Sequence, residues 1–190
     1  GWVSYSSKST GSGDKDYYKF RGEAYLSFKQ KDFTPINGMS LVFAKNFTPI
    51  IGLGYRWLYD DSGGMVTSTG HSGYDRKSQY IYVPMGGIYN LNDKLKIKGQ
   101  FNYLLRGMQD SYLSDIAGYS DSYNKQTSGW GTDFTVDYKI DDKTSIYSFY
   151  RYWDISDSSI AVVAVPGGTS RTQEPANTTT ELGIGVAFKF

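Results

Sequence analysis

Alternation of apolar and polar residues is the feature that most constrains how this 190-residue chain can fold. In the segment LKIKGQFNYLLR, residues 95–106, the odd positions are apolar apart from Gly99, and the even positions are polar or charged apart from Leu104. The segment TELGIGVAFKF, residues 180–190, has the same period. A period of two places successive side chains on opposite faces of a β-strand. The chain is therefore predicted to consist of amphipathic strands.

The alternation recurs often enough to predict eight strands, most of them roughly ten to twelve residues long, in the range that crosses a bilayer when tilted. They are 2–8, 17–28, 51–59, 79–90, 95–106, 130–140, 144–153 and 179–190. The connections NLND (90–93) and IDDK (140–143) are tight turns, and they alternate with long polar stretches. Tight turns at one end and long loops at the other are typical of an up-and-down barrel.

Interior volume decides which strand face meets water. A soluble lipocalin-like barrel would turn its apolar face inward, but eight strands carry too many large apolar side chains for an interior that side chains only just fill. The polar face instead contains small residues, including Gly52, Gly54 and Gly183, as a narrow interior requires. The predicted fold is all-β: a closed antiparallel transmembrane β-barrel whose apolar face meets lipid.

One segment leaves the strand count open. The sequence FTPI occurs at 33–36 and at 47–50, and a strand at 39–45 would give nine, whereas bacterial single-chain barrels have even numbers. Either 30–49 is a long periplasmic-side connection, or residues 1–16 are a tail. Ten strands follow if 39–45 and a further segment are strands. We expect one domain, 1–190, with extracellular loops at about 9–16, 60–78, 107–128 and 154–178.

The final strand, which ends on Phe190, resembles the closing strand of bacterial outer-membrane proteins. Strand and loop order, from GWVSYSSK through YIYVPMGGIYNLND and SIYSFYRYW, resembles the small eight-stranded OmpX- and OmpA-like barrels. The resemblance implies that Phe188 and Phe190 belong to a signal read by the barrel assembly machinery. It also implies location in the cell outer membrane of a Gram-negative bacterium, with outer-membrane lipid and lipopolysaccharide as partners.

Composition excludes several other classes of protein. The net charge is +1, and no basic run or phosphate-loop motif is present, so nucleic-acid binding is not expected. Cysteine is absent, which excludes disulfides and thiolate chemistry. The loop carboxylates do not follow the calcium-loop spacing. We predict no metal and no cofactor.

Charged residues on the polar strand face predict a charged interior. They are Lys19, Arg21, Glu23, Arg56, Lys96, Lys98, Arg106, Asp133, Asp137, Arg151 and Glu181. Charges removed from bulk water are costly unless they pair, so these residues are expected to form a salt-bridged plug. Because cations outnumber anions, the alternative is a narrow channel with a weak preference for anions.

A single histidine offers the only candidate for catalysis in the sequence. His71 adjoins Ser72 and lies near Asp75, which are the residue types of a nucleophile, a base and an orienting group. An enzyme that modifies lipid A at the outer rim is therefore one alternative function. A triad is recognised by geometry rather than by proximity in sequence, so we predict that the protein is not an enzyme.

The loop 154–178 contains an apolar run, Ile160–Val165, outside the predicted membrane span. The run either packs against loop 107–128 or binds a partner through apolar contact or strand addition. The predicted contact patch comprises Ile160, Val162, Val163, Val165, Tyr112 and Tyr119. The function expected from the sequence is that of a non-enzymatic surface protein, structural or engaged in adhesion to a host or cell-surface ligand through its loops.

Overall fold

The computed structural model describes residues 2–7, 11–28 and 46–189, with the side chains of 12–28 and 46–189. These ranges form strands and a single 3-10 turn, Leu113–Asp115. The strands are β1 (Trp2–Ser7), β2 (Gly11–Ser27), β3 (Phe47–Asp61), β4 (Arg76–Asn90), β5 (Leu95–Ser111), β6 (Ser122–Gln126), β7 (Gly129–Lys139), β8 (Thr144–Ile155), β9 (Ala161–Val165), β10 (Gly168–Thr172) and β11 (Asn177–Phe188). No helix in these ranges is long and apolar enough to cross a membrane.

The main sheet is antiparallel and follows the order β1-β2-β3-β4-β5-β7-β8-β11. Strand β6 pairs with β5 beyond the point where β7 leaves it, and β9 and β10 form a separate hairpin. The predicted all-β, antiparallel architecture is confirmed, and the sheet curls as a half-barrel. Within the described ranges no ladder joins β1 to β11, so closure into a complete barrel stays a prediction.

Several strands are longer than predicted at the end that carries the long connections, here called the loop end. The structure extends β2 over 11–16, where a loop was expected, and the loop 60–78 shrinks to 62–75. The loop 107–128 contains the end of β5 and all of β6, and the loop 154–178 contains β9 and β10. In the extension of β2 the outward residues Ser12, Asp14 and Asp16 are polar, so the apolar alternation that reveals a strand is absent there. The predicted connection 30–49 lies outside the described residues up to 45, and β3 begins at Phe47.

The convex face of the sheet is an apolar surface. Leu182 and Ile184 on β11 are 81% and 83% exposed. Each of the long strands from β2 to β11 carries exposed apolar side chains on this face. Examples on other strands are Phe20, Leu53, Phe101, Phe134 and Tyr150. An apolar surface of this extent is far larger than soluble monomers expose. It has the composition of a face that contacts lipid.

Glycines on the concave face make room for large rings. A Cβ atom on Gly54 would lie 2.2 Å from the ring of Tyr82, and one on Gly183 would lie 2.5 Å from the ring of Phe149. Each glycine therefore accepts an aromatic side chain from a nearby strand directly over its backbone. This close packing lets a narrow interior hold several rings as well as charges.

The centre of the interior is an ion-pair network around Asp133. The Arg21 guanidinium donates to both carboxylate oxygens of Asp133, at 2.8 and 2.5 Å, and to Glu23 at 2.5 Å. Asn102 donates to Asp133 at 2.7 Å, and Arg151 lies 3.1 Å from it. The network thus joins β2, β5, β7 and β8 across the concave face.

A second group of ion pairs surrounds Glu181 on β11. Its carboxylate receives hydrogen bonds from Lys19 at 2.9 Å and from Arg56 at 3.0 Å, and Arg151 lies 3.6 Å away. Arg151 therefore links the Glu181 group to Asp133. Lys98 completes the interior cluster on the other side, where its ammonium lies 3.9 Å from Glu23.

An apolar layer lies between this network and the loop end. It contains Leu58, Tyr80, Tyr82, Leu104, Trp153 and Ile155. The rings of Tyr82 and Trp153 meet edge to face, with centroids 5.0 Å apart. Trp153 and Tyr82 have no exposed surface, so the described side chains fill the interior at this level.

Three predicted interior charges do not join the network. Lys96 and Asp137 lie at the end that carries the tight turns, where Asp137 accepts a hydrogen bond from Ser145. The prediction for Arg106 is wrong, because its side chain is exposed on the convex face. The β4–β5 register shifts between Ile81 and Tyr82, so one extra residue of β5 is accommodated there and Leu105 and Arg106 both point outward. The next inward residue after Leu104 is therefore Gly107.

Removing one partner of the interior network should be far more costly than removing an exposed ion pair. We expect Arg21→Met to lower the free energy of unfolding by about 3 kcal/mol, because Asp133 and Glu23 remain buried with fewer partners. The matched control is Lys139→Met, which removes an exposed pair with Asp142 and should leave the urea midpoint unchanged. Urea unfolding in lipid vesicles measures both. Equal midpoints for the two variants would contradict the role given to the network.

Candidate functional site

The loop end of the interior is occupied by a charged cluster of Lys15, Asp60, Arg76 and Glu174. Asp60 accepts hydrogen bonds from Lys15, from Ser62 at 2.5 Å and from Arg76 at 2.7 Å. Arg76 also lies 3.4 Å from Glu174. Burial opposes ionisation of Asp60, but these hydrogen bonds and the charge of Arg76 outweigh it, and its pKa lies below the usual value. Burial raises the pKa of Glu174, which Arg76 offsets only in part.

Asp75 organises the connection 62–75. Its carboxylate accepts hydrogen bonds from the backbone N–H groups of Ser62 and Gly63, at 2.9 and 2.5 Å, and from the Tyr59 hydroxyl at 2.5 Å. Its own N–H donates to the carboxylate of Asp115, at 2.9 Å, so this connection is tied to the neighbouring one. These contacts give Asp75 a structural role.

The predicted set of His71, Ser72 and Asp75 does not assemble as a triad. In the described contacts, the carboxylate of Asp75 is bonded to Tyr59 and to backbone amides rather than to His71. The imidazole Nδ1 instead lies 2.9 Å from the hydroxyl of Thr69. The sequence does not single out Thr69, because it is one of several hydroxyl residues in a polar loop.

His71 and Ser72 line a cleft of about 300 Å³ between β2 and the connection 62–75. Its walls also include Lys15, Met65 and Arg76. The connection is fixed to β2 by two hydrogen bonds between Ser12 and Ser68, one in each direction and both 2.9 Å long. The cleft is thus built from ordered backbone, with one imidazole and two cations on its walls.

The hairpin of β9 and β10 is the second feature of the loop end. Its turn at Pro166-Gly167 uses a positive φ of 86° at Gly167, a conformation open to glycine. Polar side chains of β6 hold the base of the hairpin: Asn124 donates to the carbonyl of Ser159 at 2.8 Å, and Gln126 donates to that of Ser156 at 3.1 Å. Ser120 exchanges two hydrogen bonds with the backbone of Ala164. The hairpin is therefore anchored to the rest of the loop end.

The structure divides the predicted contact patch. Ile160 and Val162 are exposed, at 57% and 67%, and Tyr119 is also exposed. Val163 is buried, because alternate residues of β9 face opposite sides, and Val165 is half-buried. Val163 therefore does not belong to an exposed patch, and Val165 exposes only part of its surface.

Tyrosines next to the hairpin also differ from the prediction. Tyr112 is half-buried, and its hydroxyl accepts a hydrogen bond from Lys77, so it is engaged within the loop end. Tyr123 on β6 is 64% exposed and was not included in the predicted patch. The patch that the structure supports, here called the hairpin patch, consists of Ile160, Val162, Tyr119 and Tyr123.

The described residues do not bring together three histidine or acidic side chains in the way that a metal site requires. Nearby carboxylates serve other functions, because Asp60 is paired with cations and Asp75 with amides. The loop end thus offers two surfaces for function, the cleft beside His71 and the hairpin patch.

No protein-family model matches the chain, and no curated protein is similar to it. A solved structure that the chain resembles is that of the outer membrane protease OmpT from Escherichia coli, at 12% sequence identity and a TM-score of 0.49. The alignment covers 93% of this chain and 64% of that one, so the chain spans less than two thirds of the length of that protein. We transfer no residue role at this level of similarity.

This comparison corrects one expectation from the sequence and leaves another open. The prediction that the protein is not an enzyme is contradicted by this comparison, because the solved structure is that of a protease. The specific resemblance to OmpX- and OmpA-like barrels stays a prediction. The described residues themselves show an antiparallel all-β sheet that curls as a half-barrel.

Proposed function

We propose that this chain is an outer-membrane β-barrel protein of a Gram-negative bacterium that binds a polypeptide partner through the hairpin patch. The apolar convex face supports insertion in a membrane, and Phe188, the last residue of β11, is 65% exposed on that face. The role of Phe188 and Phe190 as an assembly signal remains part of this proposal, and Phe190 lies outside the described residues.

The observation that carries the proposal is the exposure of Ile160 and Val162 on a hairpin that is hydrogen-bonded to its surroundings. When a partner covers apolar side chains that are exposed above the membrane, their removal from water lowers the free energy of the complex. The support is already ordered, so binding pays little conformational entropy. The β10 residues Gly168 to Arg171 are also exposed, and among the described strands β10 pairs only with β9. A free strand edge of this kind favours a partner that can add a strand.

The filled interior supports a role at the loop end rather than conduction. Trp153 and Tyr82 close the apolar layer, and the ion pairs of Arg21 and Glu181 occupy the level below it. Water and ions would have to displace both layers to pass through the described part of the sheet. We therefore do not propose the anion-preferring channel as the function.

Partner binding should depend on the hairpin patch and not on exposed apolar side chains elsewhere at the loop end. We expect Val162→Asp to reduce the adhesion of expressing cells to an immobilised matrix preparation at least tenfold, because a charge would be buried in the contact. Val66 on the connection 62–75 is 66% exposed and lies outside the hairpin patch, so Val66→Asp is the matched control and should leave adhesion unchanged.

Surface display of both variants is checked by antibody labelling of intact cells. Adhesion that is equal for wild type, Val162→Asp and cells lacking the protein would contradict the proposal.

A second candidate function is favoured by the contact between Thr69 and His71. A hydroxyl 2.9 Å from an imidazole nitrogen has the separation of a nucleophile and its general base, and His71 of this pair lines the cleft. The reaction class would be hydrolysis or transfer of an acyl group. Lipid A, which carries ester-linked and amide-linked acyl chains close to the membrane surface, is the substrate we propose for it.

This second function predicts a change in lipid A that requires His71. Cells expressing the wild type should show an altered acyl pattern in lipid A mass spectra, and His71→Ala and Thr69→Val should abolish the change. Thr180→Val is the matched control for Thr69→Val, since Thr180 is exposed on β11 and does not line the cleft, and it should behave as the wild type. Identical spectra with and without the protein would dispose of this function.

A further inference from the structure

Arg106 is presented to the convex face by an irregularity in the sheet. The β4–β5 register shifts between Ile81 and Tyr82, and Leu105 and Arg106 are consequently both exposed. A regular strand would have directed Arg106 into the interior, where it could have paired with carboxylates. A register shift that re-aims a charged side chain in this way is a specific feature of the strand.

Arg106 lies at the loop-end boundary of the apolar band. Tyr103 and Leu105, which precede it on β5, are 54% and 48% exposed, and Trp130 is paired with Tyr103. Beyond Arg106, the outward positions of β5 are Met108 and then the charged Asp110. Aromatic side chains at the limit of an apolar band mark the level of lipid headgroups.

A second cation lies beside Arg106. The β5–β6 register pairs Met108 with Lys125, which places Lys125 diagonally across from Arg106 at a Cβ separation of about 7 Å. Lys125 is exposed on this face, and Thr127, which follows the end of β6, is also exposed. The side chains of Arg106 and Lys125 can therefore reach one anion between them.

Nearby acids do not neutralise these cations. Asp110, the adjacent acid on β5, is paired with Lys77 at 2.7 Å. In the described part of the chain, no ion pair involves Arg106 or Lys125. Two positive charges at the depth of the lipid headgroups, without an ion-pair partner among the described residues, are complementary to an anion.

We propose that Arg106 and Lys125 bind a phosphate group of an outer-leaflet lipid, with Thr127 as an additional hydroxyl donor. The guanidinium presents two N–H groups to phosphate oxygens, and the ammonium supplies a point charge. The rings of Tyr103 and Trp130 contact the apolar part of the same lipid. The inference rests on membrane insertion and is independent of partner binding at the hairpin patch.

The test measures binding of diphosphorylated lipid A to the purified, folded protein in detergent by native mass spectrometry. Arg106→Gln and Lys125→Gln should each weaken binding about fivefold, and the double variant about thirtyfold. Lys139→Gln, at the opposite end of the sheet, is the matched control and should bind as the wild type. Circular dichroism checks that every variant is folded, and the single variants suffice if the double variant fails to fold.

Two further probes identify the ligand chemistry. Fully dephosphorylated lipid A should bind the wild type as weakly as diphosphorylated lipid A binds the double variant. Inorganic phosphate at millimolar concentration should not displace the lipid. Equal lipid A binding by wild type and double variant would overturn the site, and displacement by inorganic phosphate would overturn its assignment to a lipid.

Discussion

The pairing of the Arg21 guanidinium with the Asp133 carboxylate spans the concave face of the sheet, and the remainder of the interior is arranged around it. These residues belong to β2 and β7, which are separated by three strands in the sheet order, so they meet only because the sheet curls. Because apolar side chains occupy the convex face, the ion-paired charged side chains around Arg21 and Asp133 lie in the interior. There the loss of hydration is compensated only by complete pairing.

The same requirement shapes the loop end. Asp75 supplies acceptors for two backbone amides, and Asn124 and Gln126 supply donors for carbonyls at the base of the hairpin. Satisfying these buried groups orders the connections, because each side chain fixes a backbone segment that would otherwise be solvated. The apolar side chains of the hairpin patch are consequently held in place, which is the property that a binding surface needs.

Much of the fold follows from the sequence, because a period of two assigns each strand residue to a face. It places Arg21, Glu23 and Asp133 on one side and Phe101 and Leu182 on the other, as the structure does. The assignment fails at Arg106, where the β4–β5 register shift inverts the alternation.

Prediction of the loop end was less successful for a different reason. Contacts there join residues far apart in the chain, such as Asp75 with Asp115, and proximity in sequence wrongly grouped Asp75 with His71. The run Ile160–Val165 allows either packing against the neighbouring loop or partner contact in the sequence, and the strand divides it by turning Val163 inward and Val162 outward. The sequence does contain the turn residues Pro166 and Gly167, which would have indicated a hairpin.

The central claim is that the convex face contacts lipid while the interior is filled, and tryptophan fluorescence tests it directly. The chain has four tryptophans, of which Trp130 lies on the convex face and Trp153 in the apolar layer. Two variants, each with one of these retained and the other tryptophans replaced by Phe, are reconstituted in vesicles with brominated acyl chains. Strong quenching of Trp130 and none of Trp153 is the predicted result. Strong quenching of Trp153, or an unquenched Trp130, would contradict the assignment of the two faces.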